Sequence, residues 1–338
     1  MKLDDFPRVP LAHLPTPLEL APRLGAKAGL ESLWIKRDDQ TGLATGGNKA
    51  RKLEFLMADA VANGADIILT DGGPQSNHAR MTAAAARKLG LDVRLVLAGP
   101  DFEAMQGNLL LDVLFDAHIT FLEGKDVPEM EAEMLVQAEA LRKEGRNPYV
   151  VPIGGSTAIG ALGYVTAMRE LAGQLEEQLG RKDAQIVLAV GSCGTFAGTL
   201  LGAKMFLPQA DILGISVSRK KAPLKARSAE IANESSRLLE AGISIDPESI
   251  NAFDEYVGQG YGIPTEAGRN AILTTARTEG LLLDPVYSGK AMSGLLNLAE
   301  KGVLDRQRPV VFLHTGGVAA LFAFEPGFRE LADLTKRY

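Results

Sequence analysis

Short runs of apolar and β-branched residues alternate with longer stretches of helical periodicity along almost the whole chain. That alternation restricts the fold more than any other feature. Apolar runs at Ser32–Lys36, Asp66–Thr70, Asp92–Ala98, Ile119–Leu122, Tyr149–Pro152, Gln185–Val190, Asp211–Val217 and Pro309–His314 read as strands. Several are apolar throughout, as strands covered by helices on both faces should be. Between them, Ala-, Leu- and Glu-rich patterns such as Arg51–Asn63, Ala79–Leu89, Glu129–Lys143 and Ala158–Leu179 read as helices. Strand, helix and strand in succession predict mainly parallel sheets with right-handed crossovers, an α/β fold. The 338 residues exceed one ordinary core, so two lobes are expected. No repeat or long linker marks a boundary, which is placed near Leu53 and again near Ala158.

Glycine marks the strand-to-helix joints at Gly46-Gly47, Gly72-Gly73, Gly154-Gly155, Gly191 with Gly194, and Gly316-Gly317. Ligands in open α/β sheets bind beyond the carboxyl ends of strands, so these five joints are candidate walls of one crevice. Each taken alone could equally be a turn or cap.

Three joints carry side chains with chemistry. In Gly46-Gly47-Asn48-Lys49-Ala50-Arg51-Lys52, Lys49 falls in the first turn of a helix, beside unpaired N–H groups and the positive dipole end. Arg51 and Lys52 are nearby charges of like sign. All three influences lower a lysine pKa, as an imine-forming amine requires; a solvated basic helix start is the alternative. Gly191-Ser192-Cys193-Gly194-Thr195 follows a strand and precedes a helix, so several N–H groups converge as an anion cradle. It lacks both the nucleotide P-loop ending and the dinucleotide fingerprint, so a single phosphate is expected there. No histidine lies near Cys193 in sequence, and it reads as a packing residue, not a nucleophile. In Gly73-Pro74-Gln75-Ser76-Asn77-His78-Ala79-Arg80, Ser76 is either a helix N-cap or, with Gln75 and Asn77, a donor to substrate and cofactor. Tyr261 and Tyr287, in Gly- or Pro-flanked loops, can reach into a cleft.

Other classes find little support. A net charge of −6 argues against a general nucleic-acid or membrane-surface binder. No apolar run approaches a membrane span, and the acidic MKLDDF start is unlike a signal peptide. A lone cysteine rules out an intrachain disulfide and fits a cytoplasmic setting. His13, His78, His118 and His314 are scattered without metal-ligand spacing, so no metal is expected. The nucleophile elbow of a serine hydrolase is missing.

Ten segments, in order, carry a resemblance: FPR near the start, PTPLE, KRDD, GGNKARKLEFL, QSNHAR, VPIGGS, GSCGTFAG, GYGIP, LLDPVYSGKAM and HTGG. Over nearly its full length the chain resembles the pyridoxal-phosphate-dependent family of D-cysteine desulfhydrase, L-cysteate sulfo-lyase and 1-aminocyclopropane-1-carboxylate (ACC) deaminase. The resemblance implies the tryptophan-synthase-β-like fold, fold type II. Residues 1–52 and 158–338 would form the large lobe and 53–157 the small one. It implies pyridoxal phosphate on Lys49 as a Schiff base, its phosphate held by Lys52 and Gly191, Ser192, Cys193, Gly194 and Thr195. Asn77 would lie beside the ring hydroxyl, Tyr287 near the ring and Tyr261 facing a small amino-acid substrate. Gln75, Ser76 and His78 would line the substrate pocket, Ser76 binding the carboxylate or moving a proton, with Gly155 and Ser156 closing it. A homodimer is expected.

One departure bears on the reaction. ACC deaminases typically carry a glutamate after the tyrosine of DPVY and a leucine before the paired glycines; here those positions are Ser288 and Thr315. A hydroxyl cannot keep the cofactor's pyridine nitrogen protonated as a carboxylate can, and the ring becomes a weaker electron sink. That suits β-elimination of sulfur better than opening a cyclopropane ring. The expected reaction is D-cysteine to pyruvate, sulfide and ammonia. L-cysteate sulfo-lyase, ACC deaminase and a non-catalytic pyridoxal-phosphate-binding protein are the alternatives. L-cysteate, with its second anion, would need a further cation, for which His78, Arg80 and the segment Ser218-Arg219-Lys220-Lys221 are candidates.

Overall fold

A computed structural model describes residues 2–99, 105–124 and 127–331. Among the described residues there are ten strands: β1 (Leu18–Leu20), β2 (Leu33–Lys36), β3 (Ile67–Gly72), β4 (Asp92–Ala98), β5 (His118–Leu122), β6 (Pro148–Val151), β7 (Gln185–Val190), β8 (Asp211–Ser216), β9 (Asn251–Phe253) and β10 (Val310–Leu313). They form a six-stranded sheet in the order β1-β2-β10-β7-β8-β9 and a four-stranded sheet in the order β5-β4-β3-β6. Every pairing is parallel except β1 with β2. All eight expected strands are there. β1 and β9 were not foreseen, because a three-residue edge strand is too short to show a period.

Burial on both faces explains the apolar strands. β3 and β7 are buried at every residue. One face of the large sheet packs on the helices Ala158–Leu179 and Gly194–Phe206, the other on Glu266–Glu279 and Ser288–Glu300. The small sheet is covered on one face by Lys49–Ala62 and Asn77–Lys88, and on the other by Val127–Lys143. Among the described residues, no helix is long and apolar enough to cross a membrane.

Two close helix crossings place the later site. A Cβ on Gly163 would stand 2.3 Å from the Arg51 carbonyl oxygen, and one on Gly198 would stand 2.2 Å from that of Ala161. Only glycine permits such backbone approach. The helix Ala158–Leu179 therefore draws the Lys49 helix and the Gly194 helix together, with their N-termini facing one space. Thr157 caps the start of this central helix by accepting from Gly160 N at 3.1 Å. Gly180, in the left-handed conformation, ends it.

Candidate active site

The space between the two sheets is a cavity of about 750 Å³ at the carboxyl ends of β3, β7 and β10. It is lined, among others, by Lys49, Ser76, Asn77, Ser192, Tyr261 and Tyr287. A topological switch of this kind is where α/β folds place ligands.

Lys49 is the first residue of its helix, after Gly46 and Gly47 with φ of +77° and +132°. A Cβ on Gly46 would lie 1.9 Å from the Asp39 carbonyl oxygen, so the turn demands glycine. Thr41 Oγ1 clamps this turn, donating to Gly47 O and accepting from Gly47 N, both at 2.8 Å. Asn48 N donates to Thr315 O at 3.0 Å, joining the turn to the end of β10. Lys49 Nζ donates to Asn48 Oδ1 at 3.0 Å, and Asn48 Nδ2 donates to Thr195 Oγ1 at 2.9 Å. Burial, reinforced by the Arg80 charge and opposed by Asp284, lowers the Lys49 pKa to about 8.

The expected influence of Arg51 on Lys49 is not what the structure shows. Arg51 points away into a buried network, donating to Asp38 Oδ2 at 2.8 Å and to Glu170 Oε1 at 2.9 Å. Paired with two carboxylates, it projects no net charge toward Lys49. Arg80 supplies the repulsion instead.

The loop Gly191–Thr195 leads into the N-terminus of the helix Gly194–Phe206. Cys193 adopts φ +74° and is buried, its thiol pushed up chiefly by burial. Gly191, Ser192, Cys193 and Thr195 line the cavity, and Gly194 lies just behind. Gly194 N donates to Ser156 Oγ at 3.1 Å, and Ser156 Oγ donates to Ser192 Oγ at 2.8 Å. Lys52 Nζ, fully buried, reaches the Gly154 carbonyl and, at 3.3 Å, Ser156 Oγ. Burial first, then Lys49, pushes the Lys52 pKa well below its ordinary value. Gly155 and Ser156, expected to close the pocket, are not among the cavity-lining residues: Ser156 supports the loop from behind through its bonds to Ser192 and Gly194, and a Cβ on Gly155 would meet Leu56 Cδ1 at 2.8 Å.

Ser76 caps the helix Asn77–Lys88 by accepting from Ala79 N at 3.1 Å, and it borders the cavity, where its hydroxyl donates to no described residue. Gln75 turns elsewhere. Its Oε1 accepts from Asn108 N at 2.9 Å and its Nε2 donates to Gln106 O at 3.0 Å, so its side chain does not serve the cavity. His78 lies on the wall but is neutral. Thr70 Oγ1 spends its proton on Val151 O, so the 2.8 Å contact with His78 Nε2 makes that nitrogen the donor. Burial, then Lys49 and Lys52, holds its pKa well below the ordinary value. His78 is therefore no counter-charge for a second substrate anion.

Tyr261 Oη and Tyr287 Oη are 2.5 Å apart, with the rings edge to face at 5.9 Å. Tyr261 is half-exposed as a residue, and its hydroxyl lies against that of Tyr287 at the cavity wall. Burial raises both phenol pKa values, that of Tyr287 strongly, so both keep their protons at neutral pH. Asp284 shapes this corner and was missed as a site residue. It accepts from Val286 N, Tyr287 N and Ser288 N at 2.8–2.9 Å, fixing the turn that presents Tyr287. Ser288, expected opposite the ring nitrogen, is not among the cavity-lining residues. Its hydroxyl donates to Asp284 Oδ1 at 2.6 Å and accepts from Asp284 N at 2.8 Å. Thr315 does line the cavity. So do Asn48, Arg219 and, from the helix Val127–Lys143, Met130 and Glu131. No local pattern marked those last two, since only tertiary packing brings that helix to the wall.

Fold and site together define a class: a two-lobed α/β enzyme with a buried lysine of lowered pKa facing the Gly191–Thr195 loop across a cavity between its two sheets. The chain belongs to the pyridoxal-phosphate dependent enzyme family, whose model matches residues 9–316. It is 42% identical over 329 residues to the D-cysteine desulfhydrase of Salmonella newport (strain SL254), covering 96% of this chain and 98% of that one. It is 44% identical over 331 residues to the D-cysteine desulfhydrase of Yersinia enterocolitica serotype O:8, with the same coverage of 96% and 98%. A solved crystal structure described as an ACC deaminase homologue superposes with a TM-score of 0.88 at 39% identity, covering 96% of each chain. The fold is fold type II. The site fits the cofactor: Lys52 is buried with no carboxylate partner among the described residues, and a Cβ at Gly194 would stand 2.5 Å from Lys52 Nζ, filling the cradle.

Proposed function

We propose that the enzyme converts D-cysteine and water to pyruvate, sulfide and ammonia. The observation that carries this reading is 42–44% identity, over nearly the whole of each chain, to proteins named D-cysteine desulfhydrase. The site's chemistry agrees. When bound, pyridoxal phosphate supplies an aldehyde and an electron-withdrawing ring that acidify the substrate's α-carbon. Lys49 is proposed to hold the aldehyde through Nζ. Its pKa of about 8 leaves enough neutral amine to react, and later to take the α-proton when the substrate has displaced it. Lys52 and the N–H groups of Gly191–Thr195 are proposed to hold the phosphate. In this reading Asn77 would face the ring oxygen, and the Ser76 hydroxyl the substrate carboxylate. The protonated Tyr261–Tyr287 pair can give a hydrogen bond or proton to departing sulfur but cannot abstract one. In this reading the small lobe spans 53–157, supported by the four-stranded sheet lying wholly between Ile67 and Val151. Leu11 and Leu43, from the N-terminal segment, pack onto its core. A cytoplasmic setting belongs to the same proposal and is supported by the single, buried Cys193.

A second reading, L-cysteate sulfo-lyase, is favoured by one observation: Arg219 borders the cavity, where its guanidinium could meet a sulfonate. A panel assay decides between them. Purified holoenzyme is offered D-cysteine, L-cysteate, L-cysteine and ACC, with pyruvate, 2-oxobutyrate, sulfide and sulfite measured separately. Sulfide and pyruvate from D-cysteine are expected. Sulfite from L-cysteate alone, or 2-oxobutyrate from ACC alone, overturns the proposal.

A further inference from the structure

Asn77 can offer the cavity either end of its amide, the NH₂ donor or the C=O acceptor, and the two ends recognise opposite partners. The choice is made outside the cavity. Arg80 is fully buried and carries donors only. Its Nε donates to Asn108 Oδ1 at 3.1 Å, which fixes that atom as the carbonyl oxygen. Asn108 Nδ2 is then necessarily a donor, and it meets Asn77 Oδ1 at 2.9 Å and Gln75 O at 2.9 Å. Arg80 Nη2 reaches the same Asn77 Oδ1 at 3.2 Å. Both contacts therefore require an acceptor at Asn77 Oδ1, and its Nδ2, with no hydrogen bond to a described residue, is left for the cavity that Asn77 lines.

The guanidinium is itself pinned. Nη1 donates to the Ala44 carbonyl and, at 3.2 Å, to Gly46 O, in the turn that carries Lys49. Asn108, fully buried, is locked from a second side by its backbone N–H, which donates to Gln75 Oε1 at 2.9 Å. The Gln75 side chain, turned from the cavity, thus holds the residue that orients Asn77.

We infer that Arg80 and Asn108 are positioning residues that set the polarity of the Asn77 amide, so that it presents a hydrogen-bond donor to an anionic ring oxygen of the cofactor. The inference rests on the proposed cofactor site. An anionic oxygen strengthens a donor's bond and repels an acceptor, so reversal of the amide should be felt directly in cofactor binding. Because the same Arg80 also lowers the Lys49 pKa, one guanidinium tunes both the amine and the donor.

Asn108→Asp tests this. The variant side chain still accepts from Arg80 but sets a carboxylate oxygen against Asn77 Oδ1 in place of the 2.9 Å donor, leaving only the 3.2 Å contact from Arg80 Nη2 to oppose reversal of the Asn77 amide toward the cavity. Pyridoxal-phosphate affinity, measured by equilibrium dialysis, is expected to fall about tenfold or more, and the visible absorbance of the bound cofactor should shift toward the near ultraviolet as its ring oxygen takes a proton. Asn108→Ser, lacking the new charge, should show a smaller loss in the same direction. The control is a double-mutant cycle: in an Asn77→Ala background the Asn108 change should cost no further affinity. Additive losses, or an unchanged spectrum in Asn108→Asp, overturn the inference while leaving the cofactor site standing. Failure of the wild-type protein to bind the cofactor at all defeats the underlying reading instead.

Discussion

Replacing Asp38 with Asn tests how the Lys49 helix is held. Asp38 is fully buried and accepts four hydrogen bonds: Arg51 Nε at 2.8 Å, Arg51 Nη2 at 2.9 Å, Thr16 Oγ1 at 2.7 Å and Tyr164 Oη at 2.5 Å. An amide keeps the shape but removes the charge and turns an NH₂ group on donors. Removing one partner of a buried ion pair costs about 3–5 kcal/mol, because the other charge is left in a low dielectric. Arg51 retains Glu170 at 2.9–3.0 Å, which places the expected loss near the lower figure, about 3 kcal/mol. The chain has a single tryptophan, Trp34, on β2 against the large-lobe core, so urea unfolding followed by its fluorescence reports this sheet. Burial alone would raise the Asp38 pKa, but the Arg51 charge and hydrogen bonds outweigh it and hold it below the ordinary 3.8. A depressed folded-state pKa stabilises the fold above the unfolded value, and that stability is lost as pH falls through the folded one. The gap between wild type and variant should therefore be flat from about pH 8 to pH 5 and shrink below about pH 4. Glu176→Ala is the comparison, since that carboxylate, on a helix, is 59% exposed in its pair with Lys182 and should cost under about 1 kcal/mol. A loss under about 1 kcal/mol for Asp38→Asn as well would refute the claim that this network anchors the helix.

Two further outcomes follow from the cavity. With a pKa of about 8 against the ordinary 10.5, about one Lys49 amine in ten is neutral at pH 7, compared with roughly one in 3,000 for an ordinary lysine. The rate at which apoenzyme takes up a carbonyl probe should rise about tenfold per pH unit up to about pH 8 and then level off; a rise continuing through pH 10 would contradict the depressed value. In Gly194→Ala, the new Cβ would stand 2.5 Å from Lys52 Nζ and 2.8 Å from Ser156 Cα; the lysine end can shift but the backbone cannot. The variant should unfold at a lower midpoint than wild type, remain folded at assay temperature, and bind pyridoxal phosphate about tenfold or more weakly by dialysis; unimpaired binding would remove Gly194 from the cradle.

What could be read in the residues followed from local cause. β3 and β7 showed as apolar runs because both of their faces are covered. The Lys49 turn showed because Gly46 must adopt a conformation other residues avoid. Long-range pairing left no such mark. Arg51 finds Asp38 thirteen residues back and Glu170 119 residues on, so its proximity to Lys49 in sequence misled. Gln75 is drawn away by Asn108, 33 residues distant, and Ser288 by the unforeseen carboxylate of Asp284. Arg80 was a candidate counter-ion for substrate; its donors are instead spent on Asn108, Asn77 and the Ala44–Gly46 turn.

Everything at the site turns on which amine carries the cofactor. Holoenzyme should be reduced with borohydride, digested, and the cofactor-bearing peptide sequenced by mass spectrometry. The expected adduct is on Lys49, with a colourless and unlabelled Lys49→Ala protein beside it. A reduced adduct on Lys52, Lys290 or any other lysine in the wild-type chain would contradict the account.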